Sequence, residues 1–274
     1  MGAVFRKHPT QAQPVPRAQV RTEHPAQGFD PRHLSTDPLV WCRADAGVRL
    51  NGSTASSWED MSGNGNDFSQ ATASAQPTLK SSGLGERPEL RFDGSDDCML
   101  GLDLYGGLSN ASYWTIVVVM QGWSYGGGGN PWTAEGILGA PSGGANYFNV
   151  GSTAEAHGSI GFQNYDGSSN QSALSGATDL DEGVPLVAVI ATDNGTGLVR
   201  ANGQQGTSNA NTSSLNSNAT TVKLGKGPRS DVQTPDFYSG ALSEVLIFDG
   251  ALRPNELGAL EDYLADRYGV RMGG

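Results

Sequence analysis

What limits the folds open to this chain is the length and spacing of its apolar runs. Residues 113–120 (YWTIVVVM), 186–191 (LVAVIA) and 238–248 (YSGALSEVLIF) are rich in apolar and β-branched side chains. Each is far shorter than the roughly 18 apolar residues a membrane span needs, and each suits a core strand. Shorter strand candidates lie at 39–41, 57–60, 89–93, 137–138, 147–150, 159–162, 198–201 and 222–225. Residues 89–93 (ELRFD) alternate polar and apolar, as a half-buried strand does. Between the candidates stand Asn51-Gly52, Ser62-Gly63-Asn64-Gly65-Asn66 and Asn202-Gly203, sequences that turn a chain. The 39 glycines and the 16% of charged residues agree with many short strands joined by turns, and disagree with a helical bundle. An all-β sandwich or jelly roll is expected.

Two segments break that texture. At the C-terminal end Pro254 suits a first helical turn, Leu257, Leu260, Leu264 and Tyr268 fall on one face, and Gly269 can end the helix. At the other end residues 1–37 hold Pro9, Pro14, Pro16, Pro25 and Pro31 with no period of two or of 3.6. Such a segment favours extended backbone and cannot bury a core of its own. The expected organisation is therefore an extended arm, 1–37, and one sandwich, 38–274.

Charge divides the same way. The arm carries five Lys/Arg against three acids, a net +2, so the formal −11 of the chain leaves −13 on the remainder. An acidic body argues against nucleic acid or an anionic membrane as partner. No apolar run follows Arg6 and Lys7, so no secretory signal is read there. Cys42 and Cys98 are too few for a disulfide scaffold and are expected as free, partly buried thiols. Sequons occur at Asn51, Asn110, Asn170, Asn194, Asn211 and Asn218, a number that a chain rich in Asn, Ser and Thr reaches by chance.

Three stretches carry a resemblance. They are Leu39-Val40-Trp41-Cys42-Arg43-Ala44-Asp45 with Trp58-Glu59-Asp60-Met61-Ser62-Gly63-Asn64-Gly65-Asn66, then Pro88-Glu89-Leu90-Arg91-Phe92-Asp93-Gly94-Ser95-Asp96-Asp97, then Gly240-Ala241-Leu242-Ser243-Glu244-Val245-Leu246-Ile247-Phe248 with the following helix. In this order they resemble the concanavalin A-like (laminin-G-like) jelly rolls, and they frame residues 38–270. The resemblance implies a concanavalin A-like jelly-roll sandwich closed by one helix. It leaves function open, because this fold hosts lectins, adhesion modules and glycosidases alike.

Chemistry narrows the choice. Glucanases of this fold use Glu-x-Asp-x-x-Glu on one strand, and no Glu here has that spacing; Glu244 has Leu246 two residues on and Asp249, not Glu, five on. His157 is the one histidine outside the arm, no Gly-x-Ser-x-Gly elbow precedes a helix, and no Gly-Lys-Ser/Thr phosphate loop is present. A non-enzymatic protein is expected. The loop with Trp123, Tyr125, Asn130 and Trp132 offers rings for stacking on sugars and an amide for hydroxyls, or else an edge cover or subunit contact. Asp93, Asp96 and Asp97 could begin a Ca2+ shell, the one cofactor entertained; the same residues also suit a tight turn without metal. The reading reached is a virion-surface structural protein of the decoration, head-fibre or tail-spike type. Its arm, with Phe5, Arg6, Lys7, Arg17 and Arg21, would anchor it to other virion proteins, and its jelly roll, as a homo-oligomer, would face host glycans. The alternatives are a carbohydrate-binding or adhesion module of a bacterial protein at the cell surface and, behind it, a glycosidase with an unusual site.

Overall fold

The computed structural model describes residues 28–101, 113–122, 136–141, 146–153, 159–166, 170–174, 183–194, 196–206, 221–227 and 237–273. The first strands are β1 (Pro38–Arg43), β2 (Val48–Asn51), β3 (Thr54–Trp58), β4 (Phe68–Ser69), β5 (Thr78–Lys80), β6 (Glu89–Asp93) and β7 (Met99–Leu100). The middle of the chain forms β8 (Tyr113–Gly122), β9 (Gly136–Pro141), β10 (Asn146–Thr153), β11 (Ser159–Asp166) and β12 (Asn170–Leu174). Then come β13 (Leu186–Asp193), β14 (Thr196–Ala201), β15 (Gln204–Gln205), β16 (Lys223–Leu224), β17 (Ser239–Phe248) and the helix α1 (Pro254–Tyr268).

The longest apolar runs pair with one another. β17 lies between β8 on one side and, on the other, β1 and β6, which share its length. β8 continues to β13, β14 and β15. The second sheet runs β2, β3, β4, β7, β16, β9, β10, β11, β12, antiparallel throughout. β5 pairs with both β3 and β6, so hydrogen bonding passes from one sheet to the other. This is the expected all-β sandwich with one C-terminal helix.

Both faces of the β17–β8–β13 sheet are dry, which explains why its strands do not alternate. In β8, Ile116, Val118 and Met120 join the core between the sheets, while Val117 and Val119 join a second core under α1. Leu257, Leu260, Leu264 and Tyr268 of α1 fill that second core, as their spacing predicts. Burying side chains of this size contributes roughly 2 kcal/mol each. Gly269 ends the helix at φ 65°, a left-handed conformation that suits glycine.

The end of the N-terminal segment packs on this helix. The Phe29 ring stacks on Tyr263 with centroids 4.9 Å apart. Ser35 donates from N and from Oγ to the two oxygens of Glu256, each at 2.8 Å. Arg32 and Arg43 lie over the Trp41 ring at 5.5 and 5.7 Å. Residues 28–37 thus lie against the body, whereas Phe5, Arg6, Lys7, Arg17 and Arg21 lie outside the described residues.

Candidate functional site

The second sheet has one face towards the core and one away from it, and the core side is fixed by Trp58, Phe68, Met99, Leu224, Leu138 and Ile160, all buried there. Period-two alternation then assigns their sequence neighbours in the strands to the outer face. Register links those outer positions into rows. One row is Pro141, Tyr147, Tyr165, Asn170, across β9, β10, β11 and β12. The next is Gly139, Asn149, Gln163, Ser172. It continues in the other direction through Lys223, Leu100, Ser69, Ser57 and Arg49. A third row is Gly136, Gly151, Gly161, Leu174.

The third row exists because β9 carries one extra residue. Val150 pairs with Leu138 but Gly151 pairs with Gly136, so Ile137 is bulged and, like Leu138, is buried in the core. Positions 136, 139, 151 and 161 in these rows are glycine; Gly136 and Gly139 are buried, and the backbone of Lys226 and Gly227 fills the space a side chain at 136 would take. Glycine inside a strand weakens it and often marks where a ligand or another backbone comes close. The same rows hold two tyrosine and three amide positions, Tyr147, Tyr165, Asn149, Gln163 and Asn170. Aromatic rings and amides are the groups that stack on sugar rings and pair with their hydroxyls.

Trp123, Tyr125, Asn130 and Trp132, named from sequence, lie outside the described residues. The two ends of their loop are described. It leaves β8 at Gly122, paired with Gly240, and rejoins the sheet at Gly136, in the glycine row.

The acidic turn is brought together as expected: one carboxylate oxygen from each of Asp93, Asp96 and Asp97 lies within 4.8 Å of the others. Its hydrogen bonds are those of a tight turn. Asp93 Oδ1 accepts from Ser95 N at 2.8 Å and Asp96 N at 3.3 Å, and Asp97 Oδ2 accepts from Asp93 N at 3.0 Å. Asp97 is buried, and burial followed by the Asp93 charge pushes its carboxyl up to about 6. These three carboxylates are the described residues that could begin a shell for a hard cation, which wants six or more oxygens.

Glu244 is sealed beneath α1. Leu242 pairs with Met120 and Glu244 with Val119, leaving Ser243 as an extra residue in β17. That bulge reverses the alternation, so Glu244 follows Leu246 and Phe248 to the helix side. There its carboxylate accepts from Trp41 Nε1 at 2.7 Å and from Tyr268 Oη at 2.8 Å, with Arg267 Nε at 3.6 Å. Burial pushes its pKa up, against the pull of those donors. Arg267 also pairs with Asp45, which Arg43 holds at 3.0 Å. This network ties α1 to β1 and β17, and Glu244 is fully buried within it. Cys42 and Cys98 are free thiols, the first buried.

No family model matches the chain, and no curated protein matches it. Solved structures do. The chain is similar to domain 4 of AbnA, a GH43 extracellular arabinanase from Geobacillus stearothermophilus, in complex with arabinotriose. The TM-score is 0.62 at 13% identity, covering 82% of this chain and 98% of that one. It is also similar to the binding domain of Paraclostridial Mosquitocidal Protein 1, with a TM-score of 0.56 at 10% identity, covering 84% of this chain and 52% of that one. For a Trypanosoma rangeli sialidase in complex with sialic acid the values are 0.52 and 16%, with 81% of this chain and 32% of that one covered. At these identities the likeness is one of fold: the chain is an all-β sandwich.

Proposed function

We propose that this protein is a non-catalytic carbohydrate-binding module whose sugar site is the outer face of β9, β10, β11 and β12. One observation carries the reading: register puts Tyr147–Tyr165–Asn170 and Asn149–Gln163–Ser172 in adjacent rows of one sheet. The AbnA domain has the same fold and nearly the same extent, and it is seen with arabinotriose. Binding is favoured over hydrolysis because the rows contain no Asp or Glu, whereas glycosidases work with a carboxylate pair. The buried Glu244 supplies none, since it faces the helix.

The second half of the proposal concerns attachment. Residues before Gly28 serve as the anchor, to virion proteins in the reading made from sequence or to a bacterial surface protein in its alternative. The clamp of Phe29, Arg32 and Ser35 on the body supports this, because a tether transmits position only if its last residues are fixed.

The test is binding of the full chain to immobilised oligosaccharides, with Tyr147→Ala, Tyr165→Ala, Trp123→Ala and Trp132→Ala compared at equal unfolding midpoint. Loss with the two tyrosine variants alone is expected. Loss with the tryptophan variants alone would move the site to the loop, and no binding by folded protein would leave only the anchoring role. Release of new reducing ends would make the protein a glycosidase.

A further inference from the structure

We infer that the loop of residues 60–66 is an edge plug, which closes the open side of β1 and keeps the sandwich from pairing, strand to strand, with a second copy of this chain. β1 bonds to β17 along one side, and its other side is an edge of the sheet among the described strands. An edge strand of six residues offers a row of N–H and C=O groups that can template another strand.

Here those groups are taken by the loop. Trp41 N donates to Asp60 Oδ1 at 2.9 Å, and Trp41 O accepts from Met61 N at 2.7 Å. Leu39 O accepts from Asn66 Nδ2 at 2.8 Å and from Asn64 Nδ2 at 3.2 Å, and Pro38 O accepts from Asn64 Nδ2 at 3.0 Å. Asp60 also holds the loop in shape, since its carboxylate accepts from Ser62 N at 2.9 Å, Ser62 Oγ at 2.6 Å and Asn66 N at 3.0 Å. Gly63 and Gly65 have φ of 96° and 74°, with open space where a Cβ would stand, so conformation rather than room calls for glycine. These two turns bring the amides on either side of Gly65 to the same carbonyl.

A neighbouring strand in this place would satisfy β1 and present a new edge of its own. The plug instead pairs β1 through one Asp, two Asn side chains and a single backbone N–H, and no strand lies between β3 and β4. It therefore ends the sheet where a strand would extend it. The partner it excludes is a second copy, because two identical edges brought together antiparallel about a two-fold axis complement each other. The Ser-Gly-Asn-Gly-Asn run thus does more than turn the chain.

The experiment follows the solution mass of the full chain over a range of concentrations, together with amide exchange at Trp41. Wild type is compared with Asp60→Ala/Asn64→Ala/Asn66→Ala. The mass of the triple variant is expected to rise with concentration to twice the wild-type value, its Trp41 amide exchanging fast when dilute and slowly when concentrated. Wild-type mass at every concentration overturns the inference, and so does a doubled mass with Trp41 still exchanging fast. Should the triple variant not fold, Asn64→Ala/Asn66→Ala decides, since it leaves Asp60 bonded to Trp41 and Ser62 while freeing Leu39 O and Pro38 O. Its mass should also double, at higher concentration, and an unchanged mass there overturns the inference.

Discussion

The Trp41 indole Nε1 donates to Glu244 Oε1 at 2.7 Å, joining two buried side chains 203 residues apart in sequence. Tyr268 completes the carboxylate's coordination from α1. Removing the carboxylate leaves the buried Trp41 indole N–H without its acceptor, and takes from Tyr268 its shorter hydrogen bond and from Arg267 one of its two acidic partners. Glu244→Ala should therefore cost about 3 kcal/mol in urea unfolding, and Glu244→Gln about half of that, since an amide oxygen still accepts. A loss below about 1 kcal/mol in Glu244→Ala would mean the network contributes little.

Glu261 predicts a pH dependence. It is buried on α1, with Arg200 Nη2 of β14 at 2.9 Å from Oε2. Burial pushes its carboxyl up to about 7, opposed by Arg200 and reinforced by Asp262. The folded state holds this proton more tightly than the unfolded chain, where the value is 4.5. Stability from this group is thus highest below pH 4.5, falls as pH rises through about 7, and is flat beyond. With solvent screening allowed for, the loss is roughly 2 kcal/mol. Glu261→Gln should remove that slope in denaturation measured from pH 4 to pH 8.

Asp97 obeys the same sign at lower pH. Its folded value of about 6 lies above the ordinary 3.8, so its contribution declines between those values. Asp97→Asn should raise stability at pH 7 by about 1 kcal/mol, since the amide oxygen still accepts from Asp93 N. The turn's own hydrogen bonds predict that millimolar Ca2+ leaves the unfolding midpoint unchanged. A rise of several degrees that disappears in Asp97→Asn would identify a metal site instead.

The N-terminal clamp has its own signature. Phe29→Ala should cost about 1–2 kcal/mol through the lost stack on Tyr263, and Ser35→Ala about 1 kcal/mol. Both should speed amide exchange in residues 30–36 while leaving β17 protected. Unchanged exchange in both variants would show that the clamp does not hold.

The core strands and the helix are legible in sequence because their signals are local. Runs at 113–120 and 186–191 read as central strands since α1 dries their second face, and Pro254 and Gly269 bracket the helix. The acidic turn is legible for the same reason. The face of tyrosines and amides is not, because Tyr147 and Tyr165 become neighbours only through register across β10 and β11. Residues 146–150 (NYFNV) put an aromatic on each parity, which hides the face they serve. Glu244 looks like an ordinary strand residue until the Ser243 bulge turns it over. Residues 28–37 lack any period because what holds them, Tyr263 and Glu256, lies more than 200 residues away.

Both ends of the described chain sit on one side of the sandwich: Phe29 against Tyr263, and Gly273 N donating to Asn202 O at 2.8 Å beside β14. The second sheet lies on the opposite side. A label, bead or fusion partner joined after Gly273, or to Gly28 in place of the residues before it, would therefore be carried behind the molecule, and a lawn of copies grafted by those ends would present the same face to the solution.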